Sequence, residues 1–212
     1  MKTIITLTVL LGVFTSTAFA SSYEEAMKTN IEKMKQTSSS EEFTQLAGQF
    51  QRIANAEKSK WLPGYYAAYC YVNTTFVSEM KPEQIQEQLD LAQAEIDNIM
   101  KIAPEESEIY VLQAFIFQLR ITDMMKGMKY SGLSNEALTT AEKLNSDNPR
   151  VFYLRGTNTF HTPAAFGGGK DKAKPLFQKA AAMFESQKPA NELMPDWGKE
   201  HNTEMLSQCN EE

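Results

Sequence analysis

Apolar residues recur at spacings of three and four along most of this chain, and that period suits one kind of element, the half-buried helix. Phe43, Leu46, Phe50 and Ile53 form one such stripe, and Leu89, Ala92, Ile96 and Ile99 a second. Ala173, Leu176, Phe177, Ala180 and Phe184 form a third. Val and Ile are scattered rather than alternating, and strong helix formers dominate, so strands are not expected. The stripes and their breakers predict nine helices, near 22–36, 41–57, 61–79, 82–101, 106–126, 130–145, 149–161, 170–186 and 195–209. Pro82 then falls in a first turn, and Pro104, Pro149 and Pro195 fall at junctions.

The stripes also repeat. "APEESEIYVLQAFIFQ", from Ala103, aligns with "NSDNPRVFYLRGTNTF", from Asn145, so that Tyr110 falls on Phe152 and Ala114 on Gly156. The earlier "WLPGYYAAYCYV" places Ala68 on Ala114, and "PDWGKEHNTEML" follows from Pro195. Between these segments comes a small or apolar residue, a larger one four later and another small or aliphatic one three later. It reads Leu46, Phe50, Ile53; Ala92, Ile96, Ile99; Ser134, Leu138, Ala141; and Ala173, Phe177, Ala180. Small residues at such places let antiparallel helices approach closely while the larger one fills the gap to the next pair.

This pattern resembles the tetratricopeptide (TPR) repeat, most fully in "KAKPLFQKA" and "AEKLNSDNPRVFYLRG", although Arg155 stands where that family keeps Leu. The whole is similar to a group of exported bacterial repeat proteins and, more distantly, to the periplasmic T-component of TRAP-type transporters. The resemblance implies an all-α fold: a right-handed solenoid of about four TPR-like hairpins plus an N-terminal helix, in one domain over residues 21–212. It also implies that the first helix of each hairpin lines a concave face. Counted from Ala68, Ala114 and Gly156, the groove positions are Tyr65, Tyr69 and Val72; Val111, Phe115 and Gln118; and Tyr153, Thr157 and Phe160, with Arg120, Arg150 and Arg155 nearby. Aromatic platforms with a few arginines suit a peptide or a small organic acid. The plainer alternative makes these tyrosines inter-helix core.

The N-terminus points to export. Lys2 precedes an apolar stretch, Ile4–Val13, and "AFA" at Ala18–Ala20 puts small residues where a signal peptidase cuts. The expectation is a leader over residues 1–20, cleavage after Ala20, and a periplasmic or secreted product without a membrane span. Of 21 basic and 27 acidic residues, cleavage removes one lysine, leaving an acidic chain poorly suited to nucleic acid. Cys70 and Cys209 leave a disulfide open, with a buried free thiol as the alternative at Cys70.

The run "TPAAFGGGKDKAKPLFQKAAAMF", from Thr162, resembles a phosphate loop superficially. Ala164 occupies the first glycine position of that motif, Asp171 replaces its Ser/Thr, and a helix rather than a strand precedes it. The glycines therefore read as a tight turn, with Gly167, Gly168, Gly169 and Lys170 as an alternative anion-binding loop at a helix start. His161 and His201 are the only histidines and lack an i+4 partner, so no metal site is expected. No nucleophile elbow occurs, and paired carboxylates such as Glu105 and Glu106 sit at helix starts, where they favour the dipole, so neither catalysis nor a cofactor is expected. The function expected is a non-catalytic scaffold for a protein or peptide. The alternative is a small-ligand module, for an organic acid or anion, associated with transport.

Overall fold

A computed structural model of the protein describes residues 11–77 and 79–211, with side chains described from Ser22 onward. Among these residues there are nine α-helices, one 3-10 turn and no strand. They are α1 (Leu11–Gln36), α2 (Ser40–Ala56), α3 (Leu62–Thr74), α4 (Pro82–Ile102) and α5 (Ser107–Leu119). There follow α6 (Met124–Leu144), α7 (Pro149–His161), the 3-10 turn Ala164–Phe166, α8 (Lys170–Ser186) and α9 (Lys199–Gln208). No described helix is long and apolar enough to cross a membrane. Residues 1–10 of the expected leader lie outside the described residues.

Local chemistry sets most of these boundaries. The Ser39, Asp123 and Asn148 side chains accept hydrogen bonds from the Glu42, Lys126 and Arg150 amides at the starts of α2, α6 and α7. Two boundaries differ from the sequence expectation for the same reason. The α5–α6 break comes at Arg120–Asp123, because Asp123 caps a helix starting at Met124 rather than at 130. Helix α3 stops at Thr74 rather than near 79. There Asn73, Thr74 and Thr75 turn their side chains back onto the Tyr69, Cys70 and Val72 carbonyls.

Sequential helices pack on one another: α2 on α3, α3 on α4, α5 on α6, α7 on α8 and α8 on α9. Apolar side chains of α1–α5 form one buried cluster, and those of α5–α9 a second. At the α7–α8 crossing Gly156 is the close-approach point, where an added β-carbon would lie 2.5 Å from the buried ring of Phe177. Cys70 belongs to the first cluster and Cys209 to the second; both are free thiols, so the disulfide left open by the sequence does not form.

Candidate functional site

Helix α3 is buried along nearly its whole length, and Tyr69 and Asn73 alone are incompletely covered. One turn apart, they face a cavity of about 650 Å³. Helix α5 adds Phe115, Gln118 and Leu119 to its wall, α7 adds Tyr153, Thr157, Asn158 and His161, and α9 adds His201. Phe76, Ile121, Trp197 and Gly198 complete the wall from loops. Helices α4, α6 and α8 contribute no lining residue, so the odd-numbered helices form the inner layer here.

The wall is built on an offset stack of rings. Tyr65, Tyr69, Trp197, Phe115 and Phe76 follow one another with centroids 6.5, 5.3, 5.5 and 6.0 Å apart and planes within 19–22° of parallel. Tyr153 meets Trp197 edge-on at 6.3 Å. Such offset and T-shaped contacts suit the ring quadrupoles. Trp197 joins rings from α3 and α5, and its indole N–H donates to the Tyr65 hydroxyl at 2.8 Å. Sequence reasoning assigned Trp197 to a helix starting at 195. Instead Gly198 takes φ 101°, a left-handed conformation, and α9 begins only at Lys199. The flanking Pro195 and Gly198 were the available turn signal.

What holds Trp197 is a buried polar network. Glu108 and Arg150 pair through two hydrogen bonds, of 2.9 and 2.6 Å, with both side chains nearly inaccessible. Asn148 donates to Glu108 at 2.8 Å and to Ser107 at 3.1 Å, and Ser107 donates to the Ala141 carbonyl. Arg150 then donates to the Trp197 carbonyl at 3.3 Å and lies over its ring, 5.8 Å from the centroid.

Five of the twelve groove residues named from sequence meet in the cavity wall: Tyr69, Phe115, Gln118, Tyr153 and Thr157. The other seven do not line it, and of these Val72 and Val111 are wholly buried. Tyr65 is fully buried one layer behind, its hydroxyl engaged by Trp197, and burial raises its pKa well above the usual phenol value. Phe160 packs toward Phe177. The three arginines need correction, for one physical reason: each is already paired within the fold. Arg120 binds Asp90 and Gln86, Arg150 binds Glu108, and Arg155 binds Glu142 and lies over Phe152. The lining residues include no lysine or arginine, so a small organic acid would find no permanent cation there.

The glycine loop is a chain reversal whose three glycine amides are engaged within the turn. Gly167 and Gly169 take φ of 85° and 103°, and a β-carbon on Gly168 would lie 2.1 Å from the Thr162 carbonyl oxygen. The amides of Gly167, Gly168 and Gly169 donate to the Ala164, Pro163 and Thr159 carbonyls, and the Lys170 amine donates to the Glu211 carbonyl. The exposed Lys170 ammonium makes this one bond and keeps further N–H donors.

The histidines were set aside for want of a partner nearby in sequence, yet both line the cavity. His201 Nδ1 lies 2.8 Å from the Tyr153 hydroxyl. Burial, reinforced by the charge of His201, lowers the pKa of His161. Burial also pushes the phenols of Tyr69 and Tyr153 well above their usual range. Gln118 has a fixed amide orientation, because its nitrogen donates to Ser134 Oγ and to the Leu154 carbonyl. Its carbonyl oxygen is buried and receives no hydrogen bond among the described residues.

A solved structure, the HusA haemophore from Porphyromonas gingivalis, is similar to this chain with a TM-score of 0.78 and 28% identity. The match covers 88% of this chain and 92% of that one. No protein-family model matches the chain, and no curated protein sequence does.

Proposed function

We propose that this protein is an exported, non-catalytic carrier that binds a haem-type tetrapyrrole in the aromatic cavity, on a TPR-like right-handed solenoid. The observation that carries the reading is the wall of stacked rings around about 650 Å³, in a chain similar to a haemophore. That volume lies within the roughly 300–1,000 Å³ of ordinary small-molecule sites. A flat, largely apolar macrocycle suits this apolar, ring-lined cavity better than a peptide does, since a peptide backbone needs many polar partners. The unpaired Gln118 carbonyl is an acceptor waiting for a donor from a ligand or a bound water. With no lysine or arginine in the wall, the ligand's carboxylates face solvent at the mouth. The solenoid part of the reading is supported by the sequential helix packing and by the inner layer of α3, α5, α7 and α9. The leader over residues 1–20 supplies export.

Titration of the purified protein with haemin, followed by the Soret band and by quenching of tryptophan fluorescence, tests the reading. Saturable one-to-one binding is expected, nearly insensitive to salt because no lysine or arginine lines the cavity. Trp197→Ala and Phe115→Ala should each weaken it about tenfold or more, the worth of a ring contact plus its buried area. Absence of saturable binding by a folded protein would sink the proposal.

A further inference from the structure

We propose that the first turns of α6 dock on a lipid surface and set the mouth of the cavity against it. Met124, Met125 and Met128 are 71%, 83% and 78% exposed, and none of them belongs to either buried cluster. At the helical period they share one face of α6, which Gly132 continues without a side chain. Three neighbouring methionines open to water make an apolar patch, and such patches mark contact surfaces. This one is continuous with the cavity. Phe76 and Ile121 line the cavity yet are themselves exposed, so they form its rim. Ile121 in turn leans on α6, where a β-carbon on Gly127 would lie 3.7 Å from its side chain.

The charges around the patch select a lipid over a second protein. In an acidic chain, residues 124–135 carry two lysines and no acid. Neither lysine is in an ion pair among the described residues: Lys126 donates to the Thr122 hydroxyl, and Lys129 lies over the Tyr130 ring. Asp123, just before them, has both carboxylate oxygens engaged, by the Lys126 amide and the Thr122 hydroxyl. The loop carrying Phe76 adds one acid, Glu79, and one lysine, Lys81. Apolar side chains flanked by lysines suit a helix lying in the plane of a membrane interface, with its ammonium groups at anionic headgroups. Five apolar side chains also fall short of the roughly 20–30 residues a side of a stable protein interface. Docking stands without the tetrapyrrole reading; with it, an apolar macrocycle passes between bilayer and cavity without crossing water.

Flotation of the purified protein with vesicles of phosphatidylcholine, alone or mixed equally with phosphatidylglycerol, tests this. Wild type should float with the mixed vesicles and less with phosphatidylcholine alone. Met124→Gln, Met125→Gln and Met128→Gln together should weaken binding to both about tenfold or more. Lys126→Gln with Lys129→Gln should cost about fivefold per lysine on the mixed vesicles only, and added salt should erase the same difference. None of the five side chains lines the cavity, so melting temperatures and haemin titrations in vesicle-free buffer should match wild type. Wild type that stays out of the floating fraction overturns the proposal, as does a methionine variant that floats equally well or a lysine variant that keeps the full preference for mixed vesicles. A dimer in sedimentation velocity that the methionine variant dissolves, without flotation, assigns the patch to a second copy and overturns it too. Flotation without haemin binding would instead fail the tetrapyrrole reading alone.

Discussion

Arg150 offers the sharpest test of the architecture, because the sequence placed it in a groove and the structure places it in the core. Its guanidinium makes two bonds to Glu108 and one to the Trp197 carbonyl, and both charged side chains are almost wholly inaccessible. Arg150→Met keeps an unbranched apolar stem but strands the Glu108 carboxylate with Asn148 as its remaining side-chain donor. Removing one partner of a buried pair costs about 3–5 kcal/mol. At roughly 2–4 °C per kcal/mol for a chain of this length, the melting temperature should fall by about 6–20 °C. Removing both charges is a different perturbation. Glu108→Leu with Arg150→Met leaves no stranded ion, and such replacements range from neutral to about 1–4 kcal/mol stabilising, so the double variant should recover most of the loss. Melts of the four proteins by far-ultraviolet circular dichroism complete the cycle. An unchanged melting temperature in Arg150→Met, or a double variant as unstable as the single, refutes the account of a buried pair that fixes the Trp197 loop.

Two further predictions concern packing. Gly156→Ala should destabilise the protein by about 1–2 kcal/mol in urea melts, because overpacking against Phe177 outweighs the gain in helix propensity. Gly132→Ala, on an exposed stretch of α6 with nothing within 4 Å of the new carbon, should stabilise it by about 0.5–1 kcal/mol; equal signs at the two sites would contradict the described helix crossing. Burial pushes the Cys70 thiol well above its usual range, so Cys70 should resist alkylation at mildly alkaline pH in the native state and react on unfolding. Mass spectrometry without reductant should find both thiols free, and a bridged species would overturn the assignment of Cys70 and Cys209 to separate clusters.

Several features of the site were legible one residue at a time. The small residues Ala68, Ala114 and Gly156 mark helices whose neighbours one position on or three before include Tyr69, Phe115 and Tyr153, and all three of these reach the cavity. The same counting put Tyr65 in the groove, where the Trp197 loop covers it instead. The arginines misled because a long cation near aromatic residues looks the same in sequence whether it awaits a ligand or already has a carboxylate. His161 and His201 were passed over because a search for metal ligands by spacing sees only partners on one helix.

The sequence by itself determined the helical class, most helix boundaries and the close-packed small positions. These depend on interactions within one or two turns, and an i, i+4 stripe or a capping aspartate is visible in a short window. Only the tertiary structure decided what the inward-facing side chains do. Arg150 and Glu108 are 42 residues apart, Tyr153 and His201 48, and Trp197 and Tyr65 132. Each of those meetings depends on every intervening crossing angle and loop, and a hydrogen bond tolerates only a few tenths of an ångström of accumulated error. Helix periodicity is set locally and survives such error, whereas the pairing of buried charges and the closing of a ring-lined cavity do not.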